Sequence, residues 1–152
     1  GINGRLDALQ AAILNSKLPY IDKWNTARRD NAEQYRGHLK AGGLDPGLVS
    51  LPPEDGTAHH HIYNQFNLRI SNGLRDPLKD FLANKGIATA IYYPIPLPFQ
   101  PCYRSLGYQS RDFQVSLAAA GESLALPIYP GLRDDEIEYI VENTLLFLKN
   151  NV

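Results

Sequence analysis

Gly1-Ile2-Asn3-Gly4-Arg5-Leu6-Asp7-Ala8-Leu9-Gln10-Ala11-Ala12-Ile13-Leu14 opens the chain, and its reading decides the rest. Leu6, Leu9 and Ile13 recur with helical period, and Ala8, Ala11 and Ala12 add propensity, so a helix is expected from Leu6 onward. Asn3 and Arg5 set an amide and a guanidinium immediately before it. Donors at a helix start suit an anion, because the free amide hydrogens and the dipole already favour negative charge and an arginine fork grips phosphate. An ordinary capping segment, with Arg5 and Asp7 in water, satisfies the same pattern, so the local sequence leaves both readings open.

Pro19 should kink or restart this helix, since it lacks an amide hydrogen and crowds the preceding turn. Ile21, Trp24, Ala27, Tyr35 and Leu39 then resume the apolar face until Gly42 and Gly43. So long a helix with one apolar stripe requires a partner surface, in its own domain or another subunit. Pro46, Gly47, Pro52, Pro53 and Gly56 mark Leu44 to Thr57 as a connecting loop. Ile62 to Ile70 reads as a strand. Asp76 as N-cap, Pro77 at the first helical position and Gly86 past the end frame a short helix facing inward through Leu78, Phe81 and Leu82. A second strand fits Ile87 to Tyr92, and the prolines at 94, 96, 98 and 101 make the following stretch irregular. Phe113 to Ala120 is a candidate helix, Ser123 to Leu126 a short strand, and Ile137, Ile140, Val141, Thr144, Leu145 and Leu148 mark a final amphipathic helix. Helices alternating with short strands predict a two-layer α/β fold, in which the pattern leaves strand direction open.

At 152 residues, 43% hydrophobic and 20% charged, the chain suits one globular core. A net charge of −1 without a Lys/Arg cluster argues against a nucleic-acid partner. No apolar run approaches the roughly 20 residues that span a bilayer, so no membrane partner is expected. Cys102 is the single cysteine, which rules out an intramolecular disulfide and makes the cytoplasm the expected compartment. Because the chain begins at Gly1, without Met, and runs almost at once into a helical pattern, it is expected to be part of a longer protein.

Several residues invite chemistry. His59, His60 and His61 suggest a metal, but neighbours on a strand point to alternate faces and no second His/Cys cluster completes a site, so none is expected. Tyr92-Tyr93-Pro94 puts two phenols where a strand enters a proline-fixed loop; they can hydrogen-bond a polyol or pack in a core. Pro98-Phe99-Gln100-Pro101 matches P-x-x-P, a pattern common by chance. Cys102 has only Arg104 nearby to lower its pKa and is not expected to be a nucleophile.

Taken in order, the opening segment resembles the G-x-N-x-R-L-D-x-x-Q-A-A stretch of the DegT/DnrJ/EryC1/StrS aminotransferases. The likeness continues through Arg28 to Tyr35, His61-Ile62-Tyr63-Asn64-Gln65-Phe66, Arg69, Arg75-Asp76, Gly86-Ile87-Ala88-Thr89, Tyr92-Tyr93-Pro94 and Leu124-Ala125-Leu126-Pro127-Ile128-Tyr129-Pro130. The resemblance implies the small C-terminal domain of a fold-type I enzyme dependent on pyridoxal 5'-phosphate (PLP). Its short, three-stranded antiparallel sheet would pack against helices, with a long kinked N-terminal helix. Residues 1–43 would bridge the large and small domains and the dimer interface, residues 44–152 would form the small domain, and the lysine-bearing domain would lie upstream of Gly1.

The resemblance further implies transfer of an amino group, with glutamate the expected donor, to a nucleotide-linked keto-sugar by a homodimer, in cell-wall or polysaccharide biosynthesis. Asn3 and Arg5 would reach the cofactor phosphate of the partner subunit, and Tyr92 and Tyr93 would line the substrate. Three positions depart from the family pattern: Pro98 stands where many members have His, Leu117 where Glu is usual, and Arg133 where a Thr or Ser helix cap is usual. The last should cost about 1 kcal/mol unless Asp134 caps instead. Alone, the fragment is expected to be inactive, to retain no PLP, and to associate through its bare helix. A PLP-dependent sugar dehydratase of the same family and a non-catalytic dimerisation module are the alternatives.

Overall fold

One short strand with strict two-residue alternation organises the core. In β2 (Phe66–Ile70), Phe66, Leu68 and Ile70 are fully buried, whereas Asn67 and Arg69 point to the other face. The computed structural model describes residues 4–53 and 61–151. Within them β2 is the middle of an antiparallel sheet ordered β1-β2-β3, flanked by β1 (Val49–Ser50) and β3 (Ser123–Leu126). Register is set by Val49 opposite Ile70, Phe66 opposite Leu126, and Leu68 opposite Leu124, so apolar residues pair on the buried face.

The helices are α1 (Ala8–Lys17), α2 (Ile21–Ala41), α3 (Arg75–Asn84), α4 (Gln114–Glu122) and α5 (Asp134–Asn150). The core joins Ala32, Tyr35 and Leu39 of α2, Leu78 and Leu82 of α3, and Ile137, Ile140, Val141 and Leu148 of α5 to the sheet. Tyr35 stacks on Phe66 at 5.1 Å between ring centroids, and its hydroxyl donates to the Pro127 carbonyl at 2.9 Å. The Asn31 amide donates to the Tyr129 carbonyl at 2.8 Å, so α2 fixes the segment leaving β3. Arg36, buried on the same helix, donates to the Pro52 carbonyl at 2.8 Å and ties down the chain after β1. Proline 19 has the effect its ring requires: a single 3-10 turn, Leu18–Tyr20, separates α1 from α2.

Four expectations need correction. The stretch read as the loop Leu44 to Thr57 contains β1, whose two residues are hidden among prolines and glycines and stop at Ser50, short of Pro52, which cannot continue a ladder. The strand expected over Ile62 to Ile70 begins only at Phe66, because Tyr63 takes a left-handed φ of 44° and leaves Ile62 in solvent. Ile87 to Tyr92 is not a strand. Among the described residues its one pairing is the Ala90–Ala125 bridge, since Ile87 N–H returns to the Leu82 carbonyl to close α3 and Pro94 soon follows. Finally, α3 starts at Arg75, with Leu74 as N-cap rather than Asp76, and Pro77 falls within the first turn, where its missing N–H costs nothing. Gly86 follows the helix at φ 74°, the left-handed ending expected of it.

Candidate functional site

Two regions carry the residues singled out by sequence. The first is the N-terminal arm. Asp7 is the N-cap of α1, and its backbone N–H donates to Gln10 Oε1 at 3.2 Å. Arg5 lies just ahead, exposed, with no hydrogen bond or ion pair among the described residues. A solvated, unengaged guanidinium beside the positive end of a helix suits an oxyanion. Asn3 lies outside the described residues. Among the described residues nothing in helix α1 is buried: Leu9, Ile13 and Leu14 are exposed, Leu9 to 74%, as are Leu6, Leu18 and Ile21 on either side of it. The apolar stripe is therefore present and uncovered by the described residues.

The second region is a cavity of about 560 Å³ at the edge of the sheet. The Ala90–Ala125 bridge, closed by hydrogen bonds of 3.2 and 2.7 Å, delivers Tyr92 and Tyr93 beside β3. Their rings meet edge to face at 6.0 Å, and both are exposed. The facing wall is α4, which offers Ser116, Ala119 and Ala120, followed by Ser123 at the head of β3. These four positions recur at i, i+3, i+4 and i+7, a face of small residues that leaves space beside the helix. The third wall is the proline run, where Pro96 and Pro98 flank Leu97. This run is held in shape by 3-10 turns, by the Gln100 side-chain amide on the Ile95 carbonyl at 3.2 Å, and by Phe99 against Phe113 at 6.2 Å. The structure thus brings Tyr92 and Tyr93 together at one cavity and places Pro98 in its wall; no residue lining that cavity is charged.

Sequence reasoning passed over the rest of this lining. Ser116 and Ser123 had a readable signal in their helical spacing with Ala119 and Ala120. A smaller cavity, of about 280 Å³, shares Tyr92 and carries Asn64, Gln65 and Thr89, whose polar ends extend the hydrogen-bonding surface around that phenol. These came together only through the left-handed turn at Tyr63, which no periodicity announces.

Other candidates fall away from these regions. The Tyr63 N–H donates to His61 Nδ1 at 2.9 Å, while His59 and His60 lie outside the described residues. No cluster of three or more metal-binding side chains occurs among the described residues, and none of the described helices is long and apolar enough to cross a membrane. Cys102 is exposed on a 3-10 turn. Leu117 is half-buried on α4 but does not line the cavity.

The family profile described as the DegT/DnrJ/EryC1/StrS aminotransferase family matches residues 1–145. A Geobacillus stearothermophilus protein named a pleiotropic regulatory protein is 37% identical over 150 residues, which are 99% of this chain and 39% of that protein. The dTDP-3-amino-3,6-dideoxy-alpha-D-galactopyranose transaminase of Aneurinibacillus thermoaerophilus is 38% identical over 93% of this chain and 36% of its own length. Among solved structures, NtdA of Bacillus subtilis with bound cofactor PMP superposes with a TM-score of 0.81 at 26% identity, covering 98% of this chain and 34% of that one. The chain therefore spans less than two-fifths of the length of the curated relatives named here.

Proposed function

Because this chain belongs to the DegT/DnrJ/EryC1/StrS aminotransferase family, we propose that it is the small C-terminal domain of a PLP-dependent enzyme that moves an amino group from an amino acid, glutamate in this reading, onto a nucleotide-linked keto-sugar. The observation that carries the proposal is the uncharged, hydroxyl-bearing cavity around Tyr92 and Tyr93 in a chain that matches the family over residues 1–145. In the net reaction the donor's amino group replaces the sugar's carbonyl oxygen and the donor leaves as its 2-oxo acid. The sugar carbon gains the electrons that the donor's α-carbon loses, so no outside oxidant or reductant enters.

The residues present fit the cofactor at its phosphate end. Arg5 is unengaged, exposed and positioned before a helix start, the chemistry an oxyanion requires. In this reading Arg5, with Asn3, reaches the phosphate of the cofactor held by the partner subunit of a homodimer. PLP, when bound, supplies the electron sink that lets a carbon next to nitrogen lose its proton. Tyr92 and Tyr93 hydrogen-bond the sugar's hydroxyls and orient its ring. The wall of Pro96, Leu97 and Pro98 excludes water from one side of it. Residues 1–43 bridge the large and small domains, residues 44–152 form the small domain, and the Schiff-base lysine belongs to sequence ahead of Gly1. The compartment proposed is the cytosol.

Absorbance of the purified full-length protein is the test. A band from bound PLP that is lost on adding glutamate is expected; a protein without the band, or one whose band no amino acid changes, overturns the reading. Purified residues 1–152, lacking the lysine, are expected to give no transamination, and measurable turnover by them would show that the missing segment is dispensable.

A further inference from the structure

A hydroxyl on a helix has the carbonyls of the preceding turn within reach and commonly donates to one of them. Ser16 on α1 does so, to the Ile13 carbonyl at 2.8 Å, as does Thr144 on α5, to the Ile140 carbonyl at 2.7 Å. Ser116, in the first turn of α4, does not. Its hydroxyl and that of Ser123 have no hydrogen-bond partner among the described residues, and both residues line the cavity that holds Tyr92 and Tyr93. Resting on the function proposed above, we infer that Ser116 and Ser123 are specificity-determining residues, each binding a different hydroxyl of the keto-sugar from the wall facing the two phenols.

The backbone beneath these hydroxyls is rigid. Ser123 donates its N–H to the Ala119 carbonyl, its own carbonyl accepts from Arg75 at 3.4 Å, and it pairs with Arg69 across the sheet. Arg75 also donates to the Ala120 carbonyl at 3.0 Å, so one guanidinium clamps the end of α4 to the head of β3. Polar groups on so fixed a support lose little freedom when a ligand arrives. A serine hydroxyl both donates and accepts, which matches a sugar hydroxyl that does the same. Between the two serines, Ala119 and Ala120 leave an apolar surface for the C–H face of the ring. Seven residues along α4 set the serines roughly 10 Å apart, whereas two hydrogen bonds to a shared oxygen would span at most about 6 Å. Each serine therefore contacts its own oxygen.

The test is a chemical cycle on the full-length enzyme. Amino-hexoses carried on dTDP or UDP, aminated at C3 or at C4, are assayed in the reverse direction with 2-oxoglutarate as acceptor. The sugar with the highest kcat/KM is then compared with its deoxygenated analogues, each lacking one hydroxyl. Two of these deoxygenations are expected to lower kcat/KM by about 10-fold each in the unmodified enzyme. Ser116→Ala should lower kcat/KM for the intact sugar by about 10-fold and cancel the effect of one deoxygenation, and Ser123→Ala should cancel the other. A disturbed fold would instead weaken use of every sugar alike; Ser116→Ala also places a better helix former on α4. Losses equal for all the sugars, no loss, or both variants coupled to one hydroxyl overturn the inference and leave the aminotransferase reading standing. So does enzyme whose bound cofactor responds to glutamate but that uses none of these sugars. If glutamate produces no response at all, the aminotransferase reading fails, and the inference falls with it.

Discussion

At the scale of single residues, Tyr35 shows how burial becomes a pH dependence. Its ring lies fully inside the core, and desolvation, reinforced by Tyr129 and Glu136, holds its pKa well above the ordinary phenol range. An acid whose folded pKa is raised stabilises the fold fully below the unfolded value, about 10, and loses that stabilisation as pH climbs, because only the unfolded chain releases its proton. Stability measured by urea unfolding is thus expected to fall with pH above about 10, and Tyr35→Phe should flatten that slope while costing about 1 kcal/mol at neutral pH for the lost bond to Pro127. A slope unaltered by the substitution would assign the alkaline loss to other groups. Arg133 offers a second case. It is the N-cap of α5, where its backbone N–H is accepted by Glu136 at 2.9 Å, but its side chain donates and cannot accept from the first turn. It instead forks onto Asp135, holding that exposed carboxyl below its usual range. Asp134 does not substitute as the cap; its carboxylate accepts from Gln34. Arg133→Thr should therefore raise the unfolding free energy by about 1 kcal/mol, and a loss of stability would mean that the exposed ion pairs outweigh the cap.

At the scale of elements, legibility followed the strength of the local pattern. Helices α2 and α5 were readable because a long apolar stripe must be buried, and β3 because its apolar run was bounded at both ends. Strand β1 was not, since two residues carry no periodicity and Val49 is recruited by Ile70 across the sheet rather than by its own neighbours. Ile87 to Tyr92 misled for the opposite reason: β-favouring residues were present, but only Ala90 found a partner. Beside the core packing of Val49, Arg36 ties the chain after β1 to the helical layer: its guanidinium donates to the Pro52 carbonyl and, at 3.3 Å, to the Tyr63 hydroxyl. Arg36→Met keeps the aliphatic bulk but orphans a part-buried carbonyl. It should cost about 2 kcal/mol or more, read as a lower urea midpoint with unchanged m-value. A change below about 0.5 kcal/mol would show that water replaces the guanidinium without penalty.

At the scale of the whole molecule, the candidate site is divided between what a chain announces and what a fold assembles. Tyr92 and Tyr93 were visible as a pair before proline, whereas Ser116, Ser123, Asn64 and Thr89 join them only once β3, α4 and the turn at Tyr63 are in place. The arm was visible as a pattern of donors and leucines, yet none of the described residues buries it. The 3-10 turn at Leu18–Tyr20 separates α1 from the helix anchored in the core, and from Leu6 to Ile21 the apolar residues face water. A continuous stripe of this kind is larger than the scattered apolar contacts a monomer normally exposes, so association is favoured. Residues 1–152 in isolation are expected to sediment as dimers or higher species in a concentration-dependent manner. Leu9→Glu together with Ile13→Glu should shift them to monomer, because both side chains are exposed, Ile13 to 48%, and their replacement removes no core contact. Unfolding of the double variant should therefore begin from an intact core, with its near-ultraviolet dichroism preserved. A strictly monomeric parent fragment at high concentration, or a double variant that remains associated, would mean that α1 folds back on its own chain or that another surface drives assembly.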